Sequence, residues 1–125
     1  METEGAATIE QLLARYAHAT DDRRFEDCGR LFALGAQLVV GRHTFDGREA
    51  IVATVRAAAA NSEPGKHINM NIDAEVDGDR ASVTSDFVFI KADRTVGSAG
   101  RYIDELTFDG GRWLFAKREI RATIR

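Results

Sequence analysis

Tyr16 and Asp21 are the first side chains whose types and spacing suggest chemistry, within the stretch "ARYAHATDDRRFED" at residues 14–27. A phenol can donate a hydrogen bond to developing negative charge, and a carboxylate can accept or orient a proton. On a continuous helix, five residues turn through about 500°, which would leave the two side chains about 140° apart. If the helix ends near Thr20, Asp21 can bend back toward the same cavity as Tyr16. The alternative is that Asp21 or Asp22 caps the next helix through its backbone N–H groups.

His67 is the next candidate, at the start of a segment in which apolar and polar residues alternate. This pattern predicts a long strand with one apolar and one polar face. If the polar face lay opposite the helices, it would line a pocket, and His67 would be part of it. However, Ile68, Met70 and Ile72 are expected to face the helices, which would turn His67 away unless a twist or bulge intervenes.

Hydrophobic periodicity predicts the elements that must position these residues. Thr8 and Gln11 form a capping box for a helix from Thr8 to Thr20. A short second helix is predicted from Phe25 to near Gly35, and an alanine-rich third helix follows a turn at residues 46–47. Strands are predicted at 36–41, from residue 67 to a turn at 77–79, and at 80–92, 101–108 and 112–121.

This order of elements indicates an α+β fold in a single domain over residues 1–125. Each helix has an apolar stripe and each strand has one apolar face to bury, so the sheet should pack against the helices. We therefore expect a curved, mixed and mainly antiparallel sheet wrapped around the N-terminal helices. Such a cone-shaped α+β barrel has an open end and an internal pocket for a small molecule.

Composition and charge narrow the choice of partners. The chain is 44% hydrophobic and 30% charged with one proline, which is typical of a compact domain. Its 17 basic and 20 acidic residues are scattered, which argues against a nucleic-acid partner. No apolar run approaches the roughly 18 residues of a membrane span, and the first ten residues lack the pattern of a secretory signal. We expect a cytoplasmic protein with no membrane contact.

Cys28 and Asp104 have simpler interpretations than a role in chemistry. Cys28 is the only cysteine, so an internal disulfide is excluded and a small buried hydrophobe is expected. The histidines and Cys28 show no metal-ligand spacing, so no metal site is predicted. Asp104 could be a pocket acid, but pairing across strands is favoured, with Arg101, Arg112 or Arg118 as the partner.

Four segments together resemble the SnoaL-like family of the nuclear transport factor 2-like superfamily. They are "IEQLLARYAHATDDRRFEDCGRLFA", "FDGREAI", "KHINMNIDAEVDGDRASV" and "GRYIDELTFDGGRWLFAKR". The resemblance covers nearly the whole chain. Within the superfamily, the arrangement is most similar to scytalone dehydratase and the bile-acid 7α-dehydratases, whose sites combine a Tyr and an Asp from the first helix region with a His on a strand.

The resemblance implies catalytic roles for Tyr16, Asp21 and His67. Asn71 and Tyr102, which belong to the matching motifs, are expected to bind substrate, and so is Asp86, the titratable residue nominated because the second strand histidine of scytalone dehydratase is absent. His67, oriented by Asp21, would remove a proton alpha to a carbonyl, while Tyr16 would donate a hydrogen bond to the developing enolate oxygen. Loss of a β-hydroxyl as water would then make the protein a dehydratase, and return of the proton would make it an isomerase. Neither reaction requires a cofactor.

Two functions from different classes therefore stay open. The first is a cofactor-free lyase or isomerase that acts on a small hydrophobic substrate. The second is a non-catalytic ligand-binding or dimerisation module of the same fold, because fold alone does not determine function. In either case the superfamily resemblance implies a homodimer or a higher homo-oligomer.

Overall fold

The computed structural model of the protein describes residues 8–124. Within them the elements are, in chain order, α1 (Ile9–Asp21), α2 (Phe25–Gly29), β1 (Phe32–Val40), β2 (His43–Asp46), α3 (Gly47–Ala60), β3 (Gly65–Asp77), β4 (Arg80–Lys91), β5 (Val96–Asp109) and β6 (Arg112–Ile124). The prediction that the first ten residues carry no secretory signal falls mostly on residues 1–7, which lie outside the described residues. No helix in the described range is long and apolar enough to span a membrane.

The first helix begins as the sequence predicts. The Gln11 N–H donates to the Thr8 hydroxyl at 3.0 Å, and the Thr8 N–H donates to the Gln11 side chain at 3.1 Å. The capping box is thus confirmed. Leu12, Leu13 and Tyr16 are buried on the face that packs against the sheet. The helix runs one residue beyond the predicted end and includes Asp21.

A sharp turn separates α1 from α2. The Arg23 N–H donates to the Thr20 carbonyl at 3.2 Å, and the Arg24 N–H donates to the Ala19 carbonyl at 2.8 Å. These two bonds form a Schellman motif, in which Arg23 has a left-handed backbone with φ of 59°. The turn therefore ends α1 directly after Asp21.

The second helix is shorter than the periodicity predicts, because the chain enters β1 at Phe32. Phe32 pairs with Phe115 of β6, and the Leu31 carbonyl accepts from the Phe115 N–H at 2.9 Å. Gly35, expected to close the helix, has φ of 75° and lies in β1 where the register with β6 shifts before Gln37. Pairing with a strand about eighty residues away overrides the local helical pattern here.

The six strands form one sheet in the order β2-β1-β6-β5-β4-β3. Only β1 and β6 pair in parallel, and every other neighbouring pair is antiparallel. The predicted α+β fold with a curved, mainly antiparallel mixed sheet is confirmed. Strand β5 begins at Val96, five residues before the predicted start at residue 101, so the segment at 97–100 belongs to the strand. The core between the helices and the inner face contains Leu12, Leu13, Phe32, Leu38, Ile51, Leu106 and Phe115.

In the first part of β3, up to Met70, the two faces are the reverse of the expectation. Ile68 is 46% exposed on the outer face, where it pairs with Val88, whereas His67 lies on the inner face. Further along β3, its register with β4 shifts between Met70 and Asp73, and beyond the shift Ala74 and Val76 pair with the core residues Val83 and Ala81, so the apolar face there is the inner one, as expected. For the first part of β3, the assumption that the apolar face must meet the helices was wrong because the inner face lines a partly polar cavity.

Candidate active site

His67 and Asp21 form a close pair between β3 and the end of α1. His67 Nδ1 lies 2.6 Å from Asp21 Oδ1, and the His67 backbone N–H donates to Asp21 Oδ2 at 2.8 Å. Because a carboxylate only accepts hydrogen bonds, this contact favours, for the neutral ring, the tautomer with its proton on Nδ1 and its lone pair on Nε2. The Asp21 side chain is only 7% exposed. The arrangement holds the imidazole in the form of an oriented base.

The neighbouring acid takes no part in this pair. The Asp22 side chain is 57% exposed, and its carboxylate lies 3.7 Å from the Arg24 guanidinium. Neither aspartate caps α2, since its N-cap is Arg24 and has no side-chain capping bond. Of the two acids that the sequence left open, Asp21 is the one that contacts His67.

A cavity of about 330 Å³ lies between the helices and the inner face of the sheet. Tyr16, Asp21, His67 and Tyr102 all line it, so the structure brings the three predicted catalytic residues and one predicted substrate-binding residue to one space. Tyr16 and Asp21 point in different directions around α1, yet both line the cavity, because the cavity extends past the C-terminal end of this helix. Much of the remaining wall is apolar and includes Leu38, Val40, Val55, Ala58, Phe87, Phe89 and Ile120.

Aromatic rings form a continuous part of this wall. The Phe87 and Tyr102 rings stack with centroids 4.5 Å apart, and the Phe89 ring lies 4.7 Å from the His67 ring. Tyr16 meets Tyr102 edge to face at 6.1 Å. The sequence analysis missed Phe87 and Phe89, although their alternate positions on β4 signal one shared face. Flat apolar walls of this kind suit a hydrophobic, planar ligand.

The two phenols are hydrogen-bond donors at neutral pH. Burial raises the pKa of Tyr16 well above its usual value of 10.0. Burial likewise raises the pKa of Tyr102 to about 12. Both hydroxyls therefore keep their protons throughout the physiological pH range.

Asn71 and Asp86 lie away from this cavity. Asn71 Nδ2 donates to one Asp86 carboxylate oxygen at 2.9 Å, and Arg101 Nε donates to the other at 2.8 Å. Along β4 the residues on either side of Asp86 are buried, so Asp86 points to the outer face. The expected substrate-binding role of Asn71 and Asp86 is corrected accordingly, because a molecule in the cavity would not reach them.

Comparison with known protein families tests the resemblance to the SnoaL-like family. A family model for the SnoaL-like domain matches residues 1–119. This chain belongs to the SnoaL-like domain family. No functionally curated protein matches the sequence.

Solved structures share the architecture of this SnoaL-like domain. A protein of unknown function from Mycobacterium tuberculosis is 27% identical, with a TM-score of 0.84 over 91% of this chain and 69% of its own. A candidate scytalone dehydratase from Novosphingobium aromaticivorans is 26% identical, with a TM-score of 0.81 over 93% and 82%. An NTF2-like protein with a cystatin-like fold from the same organism is 24% identical, with a TM-score of 0.79 over 92% and 79%.

A buried charge pair underlies the aromatic wall of the SnoaL-like domain. Arg118 Nε lies 3.2 Å from Asp104 Oδ1, and both side chains are 0% exposed. Of the three arginines considered for Asp104, the structure selects Arg118. The guanidinium carbon of Arg118 lies 3.5 Å from the Tyr102 ring centroid and 4.3 Å from that of Tyr16. The sequence analysis did not anticipate this stacking, because the rings come from α1 and β5 while the cation comes from β6.

The Asp104 carboxyl is unfavourably placed as an anion. Within the described residues, neither its oxygens nor the Arg118 nitrogens have a hydrogen-bond partner of good geometry. Burial therefore outweighs the attraction of Arg118 and raises the pKa of Asp104 from 3.8 to about 6. Between about pH 4 and pH 6 the folded protein therefore still holds a proton on Asp104, whereas the unfolded chain has already lost it.

We expect Asp104→Asn to change the pH dependence of stability. Ionisation of Asp104 lowers the stability of the wild type as pH rises through this window, by about 3 kcal/mol in total. Asparagine does not titrate, so the free energy of unfolding of the variant should rise relative to the wild type from pH 4 to pH 7. Urea unfolding at several pH values measures this. A constant difference, or one that falls with pH, would contradict the assignment.

Cys28 has the structural role predicted for it. Its side chain is fully buried, and burial raises the pKa of the thiol to about 12. The thiol is therefore protonated and a poor nucleophile at neutral pH. Among residues 8–124, no three His, Cys, Asp or Glu side chains come together as metal ligands.

Proposed function

We propose that this protein is a lyase or isomerase that transfers a proton at the carbon alpha to a carbonyl of a small hydrophobic substrate. The observation that carries the proposal is the 2.6 Å contact between His67 and Asp21 at the wall of a largely apolar cavity. A base held in one orientation with its free nitrogen available is what proton abstraction requires. Membership of the SnoaL-like family and likeness to a candidate scytalone dehydratase support this class of reaction.

The proposed first step uses three residues. His67 Nε2 takes the proton from the α-carbon, and the Asp21 carboxylate stabilises the imidazolium that forms. The Tyr16 hydroxyl donates a hydrogen bond to the carbonyl oxygen as it becomes an enolate. The raised pKa of Tyr16 supports this role, because only the protonated phenol can donate.

The proposed second step decides between the two reactions. If the substrate carries a β-hydroxyl, the imidazolium gives its proton to that oxygen, the C–O bond breaks, and water leaves with formation of a conjugated double bond. If it does not, the proton returns to a carbon of the enolate and a double bond or a stereocentre is rearranged. Side chains supply every proton transfer, so the proposal invokes no cofactor.

Exchange of α-protons tests both outcomes together. Hydrophobic ketones with and without a β-hydroxyl would be incubated with the protein in D2O and followed by proton NMR, with absorbance reporting conjugated products. The proposal predicts α-deuteration or water loss well above the rate in buffer. If no ketone exchanges faster with the wild type than with His67→Ala, the non-catalytic binding module becomes the better interpretation.

Asp21→Asn should lower the rate of this exchange by about 10²-fold, because an amide neither stabilises the imidazolium nor fixes the Nδ1–H tautomer. Asp22→Asn is the matched control, since Asp22 is exposed and does not contact His67. Initial rates of deuteration measure the effect. Equal rates for the two variants would count against a catalytic Asp21.

Self-association stays a prediction for this chain. The outer face of the sheet exposes Ile68 of β3 and Val96 of β5, whose exposed fractions are 46% and 54%, beside their strand partners Val88 and Ile90. An apolar sheet face of this kind supports the expected homodimer or higher oligomer. Sedimentation velocity across a range of protein concentrations would measure the state.

A further inference from the structure

Arg23 brings a cation to the cavity at an energetically unfavourable position. It occupies the left-handed residue of the Schellman motif after α1, with φ of 59°. Glycine is the usual residue at this position, because a residue with a Cβ atom is strained in the left-handed conformation. The local backbone therefore gives no reason for an arginine.

The other charged side chains that line the cavity already have partners. Asp21 is bound to His67, and Glu63 lies 3.8 Å from the Lys91 ammonium. Arg23 also lines the cavity, but within residues 8–124 it makes no ion pair, and its one side-chain hydrogen bond is a long contact of 3.4 Å to the Ser62 carbonyl. Arg24, the next residue, is paired with both Asp22 and Asp27.

We infer that Arg23 selects substrates that carry a carboxylate on an otherwise apolar body. The apolar and aromatic wall would hold the body, and the guanidinium would hold the carboxylate in a charge-assisted hydrogen bond. This rests on the proposed function only in taking the same cavity as the substrate site. Arg23 would be a specificity-determining residue, and the proton transfer would still belong to His67.

The test compares two probes of nearly the same shape, 2-naphthylacetate and 2-naphthylacetamide, by isothermal titration calorimetry. The wild type should bind the carboxylate about fivefold more tightly than the amide, because a partly exposed ion pair contributes this much. Salt at roughly 0.5 M should reduce the preference through screening.

Three variants assign the preference to one residue. Arg23→Gly should abolish the preference and unfold at the same or a higher temperature, since glycine fits the left-handed turn. Arg23→Lys should keep part of it. Arg24→Gln is the matched control and should keep all of it.

The inference is overturned if the wild type binds both probes equally, if it binds neither, or if Arg23→Gly keeps the preference. Binding requires no turnover, so these results do not depend on catalysis by His67. Conversely, absence of α-proton exchange would remove the proposed reaction and leave the carboxylate preference measurable.

Discussion

Replacing His67 with alanine is expected to lower the rate of α-proton exchange by about 10³-fold while leaving the fold intact. Among the described residues that line the cavity, His67 is the one whose side-chain nitrogen can act as a base, and the variant removes it. Asp21 still keeps the hydrogen bond from the backbone N–H of residue 67, because that bond does not involve the side chain. The change in unfolding free energy should therefore stay within about 1 kcal/mol.

His18→Ala is the matched control for this prediction. His18 lies on the exposed side of α1 and does not line the cavity. Exchange rates and melting temperatures of both variants would be compared with the wild type. A His67→Ala protein that retains the exchange rate, or that loses several kcal/mol of stability, would indicate a structural histidine instead of a base.

Arg118→Met should be the most destabilising single change considered, with a loss of about 3–5 kcal/mol in the free energy of unfolding. Arg118 is completely buried, and its guanidinium stacks against three rings, those of Tyr16, Tyr102 and Phe115. Methionine keeps much of the volume but removes the cation–π contacts, and it leaves the Asp104 carboxyl without its counter-ion. Urea unfolding at pH 7 measures the loss.

A double-mutant cycle separates charge from packing at this position. Combining Arg118→Met with Asp104→Leu removes both buried charges, so the double variant should regain at least half of the stability lost by Arg118→Met. A double variant that is as unstable as the sum of the single variants would show that the two side chains act independently. That outcome would contradict the buried pair.

Local patterns in the sequence were sufficient for much of the fold. The capping box at Thr8 and the alternation in the later strands identify α1 and the hairpin-connected sheet. Local patterns failed where distant strands decide the structure. Leu31 and Phe32 continue a helical spacing, yet Phe32 pairs with β6 in the one parallel contact of the sheet. Nothing near residue 32 in the sequence indicates that partner.

The candidate site was predictable in its residue types and less so in its geometry. Tyr16, Asp21 and His67 were identified from the first helix and from the family resemblance, and the structure brings them to one cavity. Alternation along β3 defines two faces without indicating which one meets the helices. Arg118 was considered only as a partner for Asp104, because its stacking depends on residues from several elements.

The tautomer of His67 tests the central claim most directly, and its measurement requires no substrate. Nitrogen-15 NMR of the histidine side chains distinguishes a protonated ring nitrogen from one with a free lone pair. For neutral His67 the Asp21 contact predicts a protonated Nδ1 and an unprotonated Nε2, and Asp21→Asn should weaken this preference. A neutral ring with its proton on Nε2 would leave no base facing the cavity and would contradict the proposed reaction.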